Sequence, residues 1–199
     1  MNRMNRSTLS LLLLCSWVLA PKGPARAESA PSQETPPENS WLKIDSQYTT
    51  FLIHPSLVPA AVDRRVDVFG IPSHEISRQA PADPKERLAA KGDLLFRRVR
   101  EVLQMYPKQK KVTIRVEKDP VNLQAAHHAR YGRGTRAIAF YVMEEDTIYV
   151  TAGNLSESVL AHEMAHCVVD HFFGARPPPN VEELVAVYAD ENLRNTEAP

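Results

Sequence analysis

Val159 to Val168 reads V-L-A-H-E-M-A-H-C-V and sets His162, Glu163 and His166 in a His-Glu-x-x-His pattern. Residues four apart stand one above the other on an α-helix, so both imidazoles can reach one metal ion from a single rigid element. Glu163 leans to the same side, where a carboxylate can take a proton from a water whose pKa Zn²⁺ lowers toward neutrality. The chemistry such a trio offers is metal-assisted hydrolysis. With 7 His and 15 Glu in 199 residues, shuffling yields the pattern on the order of 2 times in 100, so context has to decide.

The context is helical. Asn154 or Ser156 can cap a helix start, and no Pro or Gly follows until Gly174. Leu160, Met164, Cys167 and Val168 form an apolar stripe that would bury such a helix. The plainer alternative is a core helix with two satisfied histidines. A catalytic zinc takes three protein ligands and leaves a fourth position open, so a third ligand must come from outside the helix. A third histidine six residues after His166, with a glycine three residues after it, is ruled out because those places hold Phe172 and Val169. A glutamate from a following helix remains. After the break G-A-R-P-P-P-N (Gly174 to Asn180), Asn180 is a good N-cap, and V-E-E-L-V-A-V-Y-A-D has helical apolar spacing at Leu184, Val187 and Tyr188. So short a turn packs the two helices side by side, and either Glu182 or Glu183 could approach the histidines.

The segment from about Ser158 to Leu193 resembles the gluzincin clan of zinc peptidases. It looks most like small secreted bacterial proteins with a peptidase-MA-like domain, in which A-H-E-x-A-H is followed by an F-x-x-R-P-P-like turn and a glutamate helix. The matching residues are Ala161, His162, Glu163, Ala165 and His166, then Phe173, Arg176, Pro177 and Pro178, then Glu183 and Ala186. The resemblance implies one Zn²⁺ held by His162, His166 and Glu183, with Glu163 as general base. Many gluzincins carry an aspartate three or four residues after the ligand glutamate, where this chain has Ala186 and Val187. Asp190, seven residues on, returns to the face of Glu183 and is placed to support it. As the third residue after Asn180, Glu183 also fits a capping box.

Around the motif, Asp170 lies four residues beyond His166, where it could orient a ligand imidazole or simply be an exposed charge. His171 points away from that face and reads as structural or solvated. A purely structural zinc site would need Asp170 or His171 as a fourth ligand. Hydrolysis also needs a donor for the oxyanion. Thermolysin-like enzymes draw it from a His or Tyr well downstream, and nothing of that kind follows Asp190, which leaves Tyr188, Tyr131, His127 and His128.

The chain begins with Arg3 and Arg6, an apolar run from Leu9 to Ala20, and Ala25-Arg26-Ala27, which is the layout of a secretory signal cut before Glu28. Leu14 before Cys15 does not suit a lipobox. Residues 1–27 hold four cations and no acids, so a net charge of 0 becomes −4 without them, which argues against a nucleic-acid partner. Only Cys167 then remains, so no internal disulfide forms. It reads as a small buried hydrophobe. Residues 28–40 are a Pro-rich, polar, disordered leader, and 41–199 is the size of one domain.

Within that domain the pattern predicts strands over Tyr48–Ile53 and Lys111–Val116, helices over Pro84–Met105 and Val121–Tyr131, and an antiparallel hairpin of Ala137–Val142 and Ile148–Thr151 around M-E-E-D. Strands followed by the two site helices predict a small α+β domain with a mixed or antiparallel sheet, zincin-like by resemblance. The expectation is a secreted, single-zinc metallohydrolase, a peptidase acting on protein or peptide in the periplasm or outside the cell, with no stable membrane insertion after signal cleavage. In zincin-like enzymes an edge strand above the metal helix binds an extended peptide; by that resemblance Ala137–Val142 or Ile148–Thr151 could be that edge, and either could equally be an interior strand. The alternative is an envelope binding or scaffolding protein that keeps the fold with little or no hydrolysis.

Overall fold

In the computed structural model the described residues are 36–68, 81–108, 111–173 and 175–193. They belong to one compact unit, Ser32–Pro199. The expected signal segment lies outside the described residues, as does most of the leader, whose last part forms a 3-10 turn at Glu38–Ser40. No described helix is long and apolar enough to cross a membrane.

The fold is α+β, with a five-stranded mixed sheet in the order β1-β2-β3-β5-β4. Its strands are β1 (Leu42–Asp45), β2 (Thr49–Ile53), β3 (Val112–Glu117), β4 (Ala139–Val142) and β5 (Thr147–Thr151). The helices are α1 (Pro59–Asp63), α2 (Pro84–Leu103), α3 (Pro120–Tyr131), α4 (Glu157–Phe172) and α5 (Pro179–Asn192). β2, β3 and β5 run parallel in the centre, while β1 and β4 pair antiparallel at the two edges. Parallel neighbours need long crossovers, which is why α1 and α2 lie between β2 and β3 and α3 lies between β3 and β4.

Strand alternation divides the two faces. Phe51, Ile114 and Ile148 are in register across the centre, as are Ile53, Val116 and Val150, and all are fully buried. They form one core with Leu88, Leu95, Phe96 and Val99 of α2 and Leu160, Met164 and Val168 of α4. The opposite face carries Arg115, Glu117 and Tyr149. There α3 covers a smaller cluster of Leu123, Ala126, Val142 and Tyr149. The site helix α4 is therefore buried against the main sheet face.

A polar anchor seats α2 on the sheet. The Asp93 carboxylate accepts from the backbone N–H groups of Gln47, Tyr48 and Thr49 at 2.9, 2.8 and 3.0 Å and from the Ser46 hydroxyl at 2.7 Å, which satisfies the turn between β1 and β2. Gly92 beside it permits this approach. A Cβ there would lie 2.6 Å from Thr49 Oγ1 and 2.7 Å from Phe51 Cε2, and both side chains are fully buried. Gly92→Ala gains up to about 1 kcal/mol of helix propensity but overpacks the contact at a cost of about 1–3 kcal/mol. The net expectation is a destabilisation of about 1–2 kcal/mol, measured as a lower urea midpoint at unchanged slope; an unchanged or higher midpoint would contradict the close approach.

Candidate metal centre

α4 starts where the Ser156 hydroxyl accepts from the Val159 N–H at 3.3 Å, and it runs without a break to Phe172. Its apolar stripe is buried as expected. His162 and Glu163 are each 7% exposed and His166 is half-buried, so the motif sits at the margin of the core rather than on open surface. The two imidazoles stand edge to face with centroids 5.1 Å apart, the outcome of four-residue spacing on a helix.

α5 brings up the third donor, though not with the face the apolar pattern suggests. Leu184, Val187 and Tyr188 are 69%, 41% and 52% exposed, whereas Glu182, Ala186, Ala189 and Leu193 turn inward. Small alanines at the contact let the helix axes approach, and the larger apolar residues are left outside. The helix also begins two residues earlier than expected. Pro179 is its first residue and Pro178 its cap, so Asn180 lies within the first turn and Glu183 makes no capping bond.

Neighbouring glutamates on α5 then take different work. Glu182 is buried and accepts from Arg176 at 2.7 Å. Glu183, about 100° further round the helix, holds Oε2 3.5 Å from His162 Nε2 and Oε1 3.6 Å from His166 Nε2. All three donors lie within 4.8 Å of one another. Normal N–H···O bonds span about 2.7–3.2 Å, so these separations are long for direct pairing. Nitrogen and oxygen ligands at about 2.0–2.2 Å in a tetrahedron sit about 3.4 Å apart. The donor set and its spacing could hold a metal ion.

The electrostatics are those of a buried, acid-rich pocket. Burial pushes the Glu163 carboxyl up to about 7; the nearby His162 opposes this and Glu183 reinforces it. The backbone of Tyr141 on β4 also faces Glu163 and draws its pKa down. Burial works against charge on His162, yet contact with Glu183 and the fields of Glu163 and Asp190 hold it above the ordinary histidine value. Burial and the charge of His162 push His166 down. Contact with His162 holds Glu183 below the usual carboxylate range.

The remaining sequence candidates are placed as follows. Asp190 is half-buried and acts on His162 through its charge. Asp170 does not orient His166 and is not an exposed charge; its side chain is 2% exposed and lies 3.5 Å from Arg176. Helical arithmetic put it on the right turn, and the arginine of the connecting segment captured it. Burial raises its pKa against the pull of Arg176. Tyr188 turns outward, and among the described residues its hydroxyl makes no hydrogen bond. His127 bonds the Arg133 carbonyl at 2.9 Å and packs with Tyr131 and Phe140 on α3 and β4. His128 is exposed. Sequence reasoning matched Arg176 only as part of a turn motif and did not see that it ties α4 to α5 through Asp170 and Glu182.

No family model, curated protein or solved structure matches this chain; the candidate metal centre rests on its own geometry. Arg176→Ala leaves two buried carboxylates without their cation. Breaking a buried pair costs about 3–5 kcal/mol, discounted here to about 1–3 kcal/mol because the guanidinium side is half-exposed and screened. The expected result is a lower melting temperature together with weaker zinc binding, since Glu182 precedes Glu183. Unchanged stability and affinity would show that the clamp does not position the glutamate.

Proposed function

We propose that this protein is a zinc-dependent metallohydrolase, and that its reaction is hydrolysis of peptide bonds by a zincin-like domain exported from the cytoplasm. The observation that carries the reading is the triangle of His162, His166 and Glu183 donors with the Glu163 carboxyl buried beside it. Its signal-like N-terminus and the absence of a basic surplus support an envelope or extracellular protein substrate.

His162, His166 and Glu183 would hold the ion. When bound, Zn²⁺ polarises the scissile carbonyl and makes water acidic enough to be deprotonated near neutral pH. Glu163 accepts the proton of the attacking water and returns it to the leaving amine, a task that suits a carboxyl whose surroundings move it toward neutrality. Arg176, Asp170 and Glu182 hold α5 in register so that Glu183 faces the histidines. β4 is an edge strand whose Tyr141 backbone faces Glu163, which supports binding of an extended peptide alongside β4 by main-chain hydrogen bonds.

One observation favours the second reading, a binding protein with little hydrolysis. Val181, Leu184, Val187 and Tyr188 leave an apolar ridge on α5, and Tyr188 is turned out where an oxyanion donor was sought. The two readings separate on catalysis. In the purified protein, Glu183→Ala is expected to remove one equivalent of zinc per chain by mass spectrometry, and Glu163→Gln to keep the zinc while lowering kcat/KM on a labelled denatured protein by at least about 10²-fold. Zinc content unaffected by Glu183→Ala contradicts the site. Equal turnover by wild type and Glu163→Gln, or no turnover by either, rejects the hydrolase in favour of the binding protein.

A further inference from the structure

α4 carries a second set of ligating side chains on its other flank. Cys167 and His171 are four residues apart, about 140° round the helix from His162 and His166. Asp146, at the end of the turn between β4 and β5, faces them. The Cys167 thiol, the His171 imidazole and the Asp146 carboxylate each place one donor atom within 4.8 Å of the other two. His171 Nε2 is 2.5 Å from Asp146 Oδ1, and the Tyr141 hydroxyl donates to the same oxygen at 3.1 Å.

We propose that Cys167, His171 and Asp146 form a second Zn²⁺ site, which fastens the turn between β4 and β5 to α4. Sulfur, imidazole nitrogen and carboxylate oxygen are a donor set that suits zinc, and a water can complete the tetrahedron because Asp146 is half-buried and His171 exposed. The charges balance: a thiolate and a carboxylate neutralise the dication, and the imidazole binds neutral. On binding, the thiol proton leaves to solvent, the imidazole takes the tautomer with its proton on Nδ1 so that Nε2 ligates as a neutral donor, and Nε2 and the Asp146 oxygen part from 2.5 Å to the about 3.4 Å that separates two ligands of one ion. The Tyr141 hydroxyl, which donates to the Asp146 carboxylate, would orient it from the outer side. The site does not depend on the first centre or on hydrolysis.

The consequence is mechanical. β4 is the strand whose Tyr141 backbone faces Glu163, and the turn that follows it would be held to α4 by metal bonds in a chain whose one other cysteine is Cys15. Without the ion, the Asp146–His171 contact is a partly exposed pair of small worth.

The test is a Co²⁺ titration of the metal-free full chain, read at the near-ultraviolet thiolate-to-cobalt charge-transfer band, which the His162, His166 and Glu183 cluster cannot produce. Wild type and His162→Ala should show the band, and Cys167→Ala should not. His171→Ala, an exposed position that leaves the fold intact by circular dichroism, should raise the half-saturating Co²⁺ at least about tenfold, the lower end of what losing even an outer partner costs. A missing band in wild type, a band that survives Cys167→Ala, or an unchanged half-saturation in His171→Ala would each overturn the proposal.

Discussion

Glu183 faces two imidazoles at 3.5 and 3.6 Å because α5 lies against α4 through alanines, and that close packing is the constraint on which the rest of the centre depends. Ala186 and Ala189 turn inward from α5 and are fully buried in the core, and Arg176 crosses between α4 and α5 to Asp170 and Glu182. A side chain one carbon larger at either alanine would push α5 outward, and one residue of slippage would exchange Glu182 for Glu183. The buried ion pairing and the small contact residues thus select one glutamate from two adjacent ones, a choice that neither glutamate makes by its own chemistry.

The same burial sets the electrostatics. α4 lies on the apolar face of the sheet, so Glu163 is largely buried and its carboxyl rises to about 7, while Glu183 at the half-buried edge stays low through His162. Two glutamates on neighbouring helices therefore have opposite tendencies: one suited to exchanging a proton, the other to remaining an anion. Under the proposed function, that separation would divide base from ligand.

Much of this was legible in the sequence because it is written in local periodicity. The i, i+4 histidines, the stripe at Leu160, Met164, Cys167 and Val168, and the cap at Ser156 mark the site helix directly. The hairpin of β4 and β5 also follows from alternation around a turn. Short elements were missed: β1 has four residues and α1 five, too few to show a period. The parallel pairing of β2, β3 and β5 is a long-range choice that no local pattern carries. On α5, Leu184, Val187 and Tyr188 looked like the buried face because they are large and apolar. The true contact uses small residues, whose value lies in the distance they permit. Asp170 was misplaced for a related reason: helix phase fixes direction, but the competing Arg176 comes from the connecting segment, beyond the reach of helical arithmetic.

The most direct measurement of the central claim is anomalous diffraction at the zinc edge from crystals of the zinc-loaded protein. The account expects a peak about 2.0–2.2 Å from a nitrogen of His162, a nitrogen of His166 and an oxygen of Glu183, with the Glu163 carboxyl beside it and outside ligand distance. A map without a peak among these three residues, or a peak that Glu183 does not touch, would contradict it.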